Sequence, residues 1–385
     1  MIRPRGPQAA RRTASFAEVV EQTDLDALRR SIAAADSRDV ERALAGDSVA
    51  DPDLAGLFSE SASPRLEEIA QRAAAITERR FGRTIQLFAP MYLTNECVNK
   101  CTYCGFSLDN RIVRRTLATD EAVAEAGALA DQGFRHLLLV AGESNRHLPV
   151  DAVGRVIESI RPRYASIGIE LAPQEEPEYR ELDAAGADSV VVYQETYDPE
   201  IYPRYHTRGP KTRYGWRLDA VERAGAAGFR TLGIGALLGL GDWRFEAVMI
   251  ARHARHLART CWRSRVAISF PRIRAAAGGF VPPHPVSDRE LVHMLCAMRI
   301  ALPDADLVVS TREPAALRDH LLGLGVTRMS AGSRTEPGGY SSPEASEGQF
   351  DIVDERSPAD VADAISRRGF EPVWKDFDRE LATRA

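Results

Sequence analysis

The sequence predicts an α/β chain folded as a parallel (βα)8 TIM-type barrel, with a helical lead-in before the barrel and a capping segment behind it. Three observations carry that reading. From residue 86 onward short β-rich runs alternate with helical patterns, there are eight such runs, and polar residues gather just after their C-terminal ends. Strand–helix alternation argues for a parallel sheet with right-handed crossovers. Eight parallel strands close a barrel, and such a barrel carries its active site at the C-terminal rim of its strands.

The elements follow in chain order. The Arg-rich stretch 1–16 has no apolar run behind it, so it is not a secretory signal; it reads as a disordered arm, with a transit peptide as the alternative. Leu, Ile, Val and Ala recur at helical spacing over 18–34, 37–44 and 64–80, with Asp36 or Ser37 and Ser61 or Ser63 as caps. The strands are expected at 86–93, 136–140, 167–171, 189–193, 231–238, 266–270, 306–310 and 328–331. Several are apolar nearly throughout, as strands buried on both faces are. Helical patterns between them include 120–132, 150–161, 216–227, 243–260, 287–301 and 314–324. The chain therefore divides into a lead-in (1–80), a barrel (81–335) and a C-terminal cap (336–385), the last with a Gly/Ser/Pro-rich loop over 337–346 and a helix over 358–368.

Composition excludes some classes. With 44% hydrophobic and 27% charged residues the chain has ample material for a large core. A net charge of −5 points to neither nucleic acid nor an anionic membrane surface, and no apolar run is long enough for a spanning helix. Lysine is confined to Lys100, Lys211 and Lys375, which draws attention to each. Of five cysteines, three fall close together, while Cys261 and Cys296 sit in helical patterns as inert buried thiols. Clustered cysteines without an export signal indicate a reducing, cytoplasmic setting and metal or redox work.

The cluster of cysteines is CVNKCTYC, Cys97, Cys101 and Cys104, directly after the first strand. Soft thiolates suit zinc and iron–sulfur groups. A structural zinc site wants a fourth ligand in a second knuckle, and none is visible. Three thiolates on a 4Fe–4S cluster leave one iron open, where the amine and carboxylate of S-adenosylmethionine (SAM) can chelate. One electron then cleaves SAM to a 5′-deoxyadenosyl radical. The spacing thus reads as a radical SAM enzyme; the competing reading is a zinc-stabilised binding module.

Further stretches carry a closer resemblance: PMYLTNEC (90–97), CTYCGFS (101–107), VYQETY (192–197), GIGALLGL (233–240), SFPRIR (269–274), STREP (310–314), PGGY (337–340) and PVWKDFD (372–378). With these the chain resembles the 2-iminoacetate synthase family of radical SAM tyrosine lyases from about residue 80 to its end. The resemblance implies cleavage of the Cα–Cβ bond of L-tyrosine to p-cresol and 2-iminoacetate (dehydroglycine) for thiamine thiazole biosynthesis, with SAM converted to methionine and 5′-deoxyadenosine. It implies flavodoxin or ferredoxin as electron donor and thiazole synthase as partner. A related lyase acting on tryptophan is the alternative. The tyrosine lyase of hydrogenase maturation carries a second cysteine-held cluster near its C-terminus, whereas no cysteine follows Cys296 here.

The same resemblance assigns residues. Gly142 and Glu143 hold the SAM amino group, with Gly allowing close backbone approach. Gln194 and Glu195 serve the ribose hydroxyls or the SAM carboxylate; a strand alternates, so only one of the two need face the mouth. Gly235 to Leu238 matches an adenine-binding strand, with Leu237 or Leu238 as ordinary core instead. Arg312 supplies a bidentate fork for the substrate carboxylate, and Tyr92 and Ser330 contact the substrate's amine and carboxylate region. One of Arg272 and Arg274 enters the SAM or substrate pocket; the other pairs with a carboxylate. His206 is a candidate for the phenol end, and Trp374 and Lys375 for closing the cap. Two departures stand out: Ala275-Ala276-Ala277 replaces a family Pro-Cys step, and Glu336 replaces a Gln before PGGY.

Overall fold

The computed structural model describes residues 13–46, 48–342 and 346–376. Most of the expected N-terminal arm, part of the 337–346 loop, and Phe377 and Asp378 lie outside the described residues.

Eight parallel strands close a barrel: β1 (Thr84–Thr94), β2 (His136–Ala141), β3 (Ser166–Glu170), β4 (Ser189–Val191), β5 (Thr231–Gly235), β6 (Arg265–Ser269), β7 (Asp306–Val309) and β8 (Arg328–Ser330). Each pairs with the next, and β8 returns to β1 in the register Gln86–Arg328, Leu87–Met329, Phe88–Ser330. The period of two is visible along β1. Ile85, Leu87, Ala89 and Met91 are fully buried on its outer, helix-facing side, while Phe88, Pro90 and Tyr92 face the barrel interior. At the rim β1 and β2 run one residue further than the sequence suggests, and the other six strands stop one to three residues earlier. Glu195 has a left-handed backbone (φ 71) that breaks the ladder, and beyond it only the bridges Glu195–Ala236 and Leu238–Arg272 remain.

The helices Thr119–Asp131, Val150–Ile160, Trp243–Thr260 and Asp288–Ala301 lie where their periodicity puts them. Four details differ. The stretch 18–34 is two helices, Phe16–Glu21 and Leu25–Ala34. The stretch 216–227 is two helices, Tyr214–Leu218 and Ala220–Ala227, broken at Asp219, whose carboxylate accepts the Ala17 amide at 2.9 Å. Ser61 and Ser63 do not cap a helix; they lie in the tight turn Glu60–Arg65, and Leu66–Phe81 starts after Arg65 with no side-chain cap. A further helix, Glu176–Ala185, joins β3 to β4; it begins with a capping box from Glu175 and Glu178 and has a Pro in its first turn.

The lead-in shares the barrel's hydrophobic core. Leu66–Phe81 packs on Asp288–Ala301, and Phe16 stacks on buried His253 with ring centroids 4.3 Å apart. The tail serves both ends of the barrel, not one. Residues 346–354 cross the active rim, as the bonds described below show. The short strand Glu371–Val373 pairs in parallel with the start of β1, at the opposite end. There Trp374 packs edge-on against Phe134 at 5.2 Å, and Asp376 holds the buried His136 ring at 3.1 Å. No helix among the described residues is long and apolar enough to cross a membrane.

Candidate active site

The loop after β1 carries Cys97, Cys101 and Cys104, and its shape is fixed by side chains that gather its backbone groups. The Asn95 side chain donates to Val113 O at 2.9 Å and accepts the Arg115 amide at 2.7 Å. Arg114 gathers the carbonyls of Phe106 and Ser107 at 2.9 and 2.8 Å. Lys100–Cys101 forms an antiparallel ribbon with His206–Arg208. Burial pushes the Cys97 and Cys101 thiols up, and the three sulfurs feel one another's charge; the backbone amides of Asn99 and Glu143 favour the Cys97 thiolate. Among the described residues, no three His, Cys, Asp or Glu side chains close on one point as single-ion ligands do. Three soft thiols carried on one loop fit a thiolate-held iron–sulfur group. They fit it because soft donors are present without a fourth protein ligand.

Beside this loop lies a paired ionic network. Glu143 accepts from Arg217 and from Asn99, both at 2.7 Å, and Glu195 accepts from Lys211 at 2.6 Å. Asn99 ties the network to the cysteine loop by accepting the Lys211 amide at 3.0 Å. Burial opposes ionisation of both carboxyls. For Glu143, Arg217 and then Lys211 overcome it; for Glu195, Lys211 and then Arg217 do, so both stay below the usual carboxylate range. Lys211 and Arg217 were not singled out for the site by the sequence. The rarity of lysine was the available signal for the first.

The other expected residues sort by the side they face. A Cβ on Gly142 would meet Glu96 O at 2.4 Å, and one on Gly235 would meet Ser269 O at 1.8 Å, so both positions require glycine. Glu195 lines the mouth, while Gln194 turns away and donates to Tyr214 O at 3.4 Å. Leu237 faces the mouth beside Cys101 and Tyr103, whereas Leu238 packs into the main core. Arg274 lines the mouth; the Arg272 guanidinium is taken up by Glu313, Asp288 at 2.7 Å and Val286 O at 3.0 Å. His206 is not at the barrel interior. Its Nδ1 bonds Tyr202 O at 2.9 Å and its Nε2 the Tyr103 hydroxyl at 2.8 Å, and burial with Lys211 and Arg217 drives its pKa down to about 2.

Below the mouth the barrel opens into a cavity of about 590 Å³, open solvent included, lined by Tyr92, Glu170, Tyr193, Arg312, Ser330 and Gln349 among others. It adjoins the cysteine-side pocket of about 470 Å³. Arg312 is brought here by the turn after β7. Its guanidinium lies on the Phe350 ring at 3.3 Å and makes no ion pair with the described residues. The carboxylates nearest in sequence are engaged elsewhere: Glu313 by Arg272 and Arg274, Asp319 by Arg356. The Tyr92 hydroxyl donates to Gln349 Oε1 at 2.8 Å, and Gln349 Nε2 reaches Cys104 Sγ at 3.6 Å. The Gly105 amide donates to Gln349 O at 3.1 Å, so the tail segment is laid across the rim onto the cysteine loop. Ser330 Oγ accepts the Thr311 amide at 3.1 Å, which positions the Arg312 turn. Glu336 is spent on the Thr335 amide at 2.9 Å and does not line the cavity.

A closed parallel barrel with three cysteines after β1 and a charged cavity beneath them defines the class of radical SAM barrel enzymes. Comparison with known proteins agrees: residues 91–250 match the radical SAM superfamily and 269–371 the biotin and thiamin synthesis associated domain. The chain is 42% identical over 368 residues to 2-iminoacetate synthase of Escherichia coli (strain K12), covering 95% of this chain and 98% of that protein. It is 41% identical, with the same coverage, to that of Salmonella typhimurium. The crystal structure of HydG, a maturase of the [FeFe]-hydrogenase, superposes with TM-score 0.82 at 28% identity over 95% of this chain and 82% of that one. The chain belongs to the 2-iminoacetate synthase family, and its cofactors are a 4Fe–4S cluster and SAM.

Proposed function

We propose that this protein cleaves the Cα–Cβ bond of L-tyrosine, giving 2-iminoacetate and p-cresol while SAM becomes methionine and 5′-deoxyadenosine. The observation that carries the reading is Arg312: a buried guanidinium that makes no ion pair with the described residues, in a barrel cavity next to three clustered thiols. An uncompensated charge in such a place is costly unless a ligand's charge meets it.

Cys97, Cys101 and Cys104 would hold the cluster, and Gly142, Glu143, Glu195, Gly235 and Arg274 would line the SAM site. The bound cluster and SAM supply the electron and the 5′-deoxyadenosyl group that takes a hydrogen atom from the substrate. Arg312 binds the α-carboxylate in a bidentate grip, Ser330 holds the turn that aims it, and Tyr92 and Gln349 close the cavity under the cysteine loop. Fixing the carboxylate fixes the amine near the mouth and leaves the ring to the deeper, apolar part near Phe88 and Leu138. Flavodoxin or ferredoxin delivers the electron, and thiazole synthase receives the easily hydrolysed 2-iminoacetate. An oxygen-labile cluster and five free cysteines suit the cytoplasm.

The test is anaerobic turnover of the reconstituted protein with SAM and dithionite, read by mass spectrometry. p-Cresol with glyoxylate, the hydrolysis product of 2-iminoacetate, is the expected result from tyrosine. Deoxyadenosine without p-cresol, or products from tryptophan alone, would overturn the substrate.

A further inference from the structure

Six residues line both the cysteine-side pocket and the barrel cavity: Glu170, Tyr193, Pro271, Arg312, Gln349 and Phe350. They mark the boundary at which a cofactor held above meets a substrate held below. Two of the six are charged. Arg312, after β7, makes no ion pair with the described residues, and of the carboxylates only the more distant Glu195 and Glu170 favour its charge. Glu170, the last residue of β3, sits beside Val140 of β2, and no hydrogen bond or ion pair to its carboxyl is formed by the described residues. Its neighbour in charge, Glu195, already belongs to Lys211. The boundary therefore presents one free cation and one free carboxyl from opposite strands of the barrel.

An amino acid zwitterion carries the complementary pair. On the reading that the substrate is tyrosine held through its carboxylate by Arg312, we propose that Glu170 receives the substrate's α-ammonium group and takes one proton from it. The step is a proton transfer. One N–H bond breaks heterolytically, its electron pair stays on nitrogen, and an O–H bond forms on Glu170. The amine left behind has a lone pair with which to stabilise a nitrogen-centred radical, which an ammonium lacks, so hydrogen-atom removal from it is easier. The state of the carboxyl suits the task. Burial, then Glu195, pushes it up to about 7, while Arg312, Lys211 and Arg217 pull the other way. A group poised there is matched to proton transfer near neutrality.

The experiment measures anaerobic binding to the SAM-loaded, cluster-containing enzyme of two ligands: L-tyrosine and 3-(4-hydroxyphenyl)propanoate, which lacks the amine. The wild type is expected to prefer tyrosine. Glu170→Gln is expected to weaken tyrosine at least tenfold and leave the deamino analogue within about twofold, since the analogue has no charge for Glu170 to meet. Glu170→Asp, with the carboxyl kept, should restore part of the preference. Equal weakening of both ligands, or no weakening of either, overturns the role of Glu170. Failure of the wild type to bind tyrosine overturns the tyrosine reading and the inference with it, and is told apart because no variant enters that measurement.

Discussion

On the cysteine side of the mouth, Glu143, Glu195, Arg217 and Lys211 neutralise one another at 2.6 to 2.7 Å. On the barrel side, Arg312 and Glu170 line the cavity with no hydrogen bond or ion pair from the described residues; Arg312 rests on the Phe350 ring, and the two charges act on each other only at a distance. Both groups are buried, yet the physics differs. A satisfied buried pair returns its desolvation cost through its partner and serves to hold a shape. An unsatisfied buried ion has its cost still outstanding, and a ligand of opposite charge lowers it. The first group shapes the wall beside the cysteine loop; the second waits for charges that the chain does not supply.

The largest effect is expected where the loop itself loses a donor. Cys101→Ala should abolish the iron–sulfur absorbance, the iron content of the reconstituted protein and p-cresol formation together. A variant that keeps its iron and its turnover would remove Cys101 from the cluster and sink the reading of the whole loop.

The paired and unpaired cations should then part company. Arg217→Met leaves Glu143 buried with Asn99 and the more distant Lys211 but no ion-pair partner, and should cost about 3–5 kcal/mol of stability, read by chemical unfolding. Arg312→Met strands no carboxylate and should change stability by less than about 1 kcal/mol, with a gain as acceptable as a loss. Its effect falls on tyrosine. Arg312→Lys, which keeps the charge but not the fork, should lower kcat/KM for p-cresol by about 10–100-fold, the scale of a charge-assisted bond, while deoxyadenosine formation continues. Equal stability losses in Arg217→Met and Arg312→Met would erase the distinction between the two regions.

How much of this was legible beforehand depends on distance along the chain. The strands announce themselves because each is a local pattern of β-branched and apolar residues, and the cysteine motif is local too. Gln349 could not be read that way: it meets the Tyr92 hydroxyl across 257 positions, from a Gly/Ser-rich loop with no pattern of its own. Arg217 sits inside a helical period, where an Arg looks like an exposed face. Glu170 is a different case. The same end-of-strand rule that selects Glu143 and Glu195 selects it as well, but extending the third strand through Leu171 hid its last residue as an interior one. His206 erred in the other direction, since a loop His after a matching motif looks functional until its two ring bonds are seen.

A gentler test of the unpaired region is its pH dependence. Glu170 must be ionised to accept the ammonium proton, and its carboxyl lies near 7. Below that value it is protonated and cannot accept, so kcat/KM should fall about tenfold per pH unit on the acid side and level off above about 7. The groups facing it are Glu195, Lys211, Arg217, Arg312 and the hydroxyls of Tyr92 and Tyr193. Among them Glu195 stays ionised and Tyr92 and Tyr193 stay protonated well above this range, so none supplies a limb there. Persistence of the acid limb in Glu170→Gln would assign it to another group.

The smallest effect is expected at Glu336, where the family commonly has Gln. A carboxylate in place of an amide at the substrate would matter greatly, since it would add a charge to a cavity whose charges are few. The Glu336 carboxylate, however, accepts the amide of its neighbour Thr335 and lies off the cavity. The Gln side chain offers a carbonyl oxygen to the same amide, so Glu336→Gln exchanges one acceptor for another at an unchanged distance from the substrate. Stability should move by no more than about 0.5 kcal/mol and kcat/KM for tyrosine by no more than about twofold, with the pH profile superimposable on the wild type. A tenfold change in kcat/KM would mean that residue 336 reaches the substrate during turnover. It would add a third charge to the barrel side, and the count of unpaired ions facing the substrate would no longer match a zwitterion.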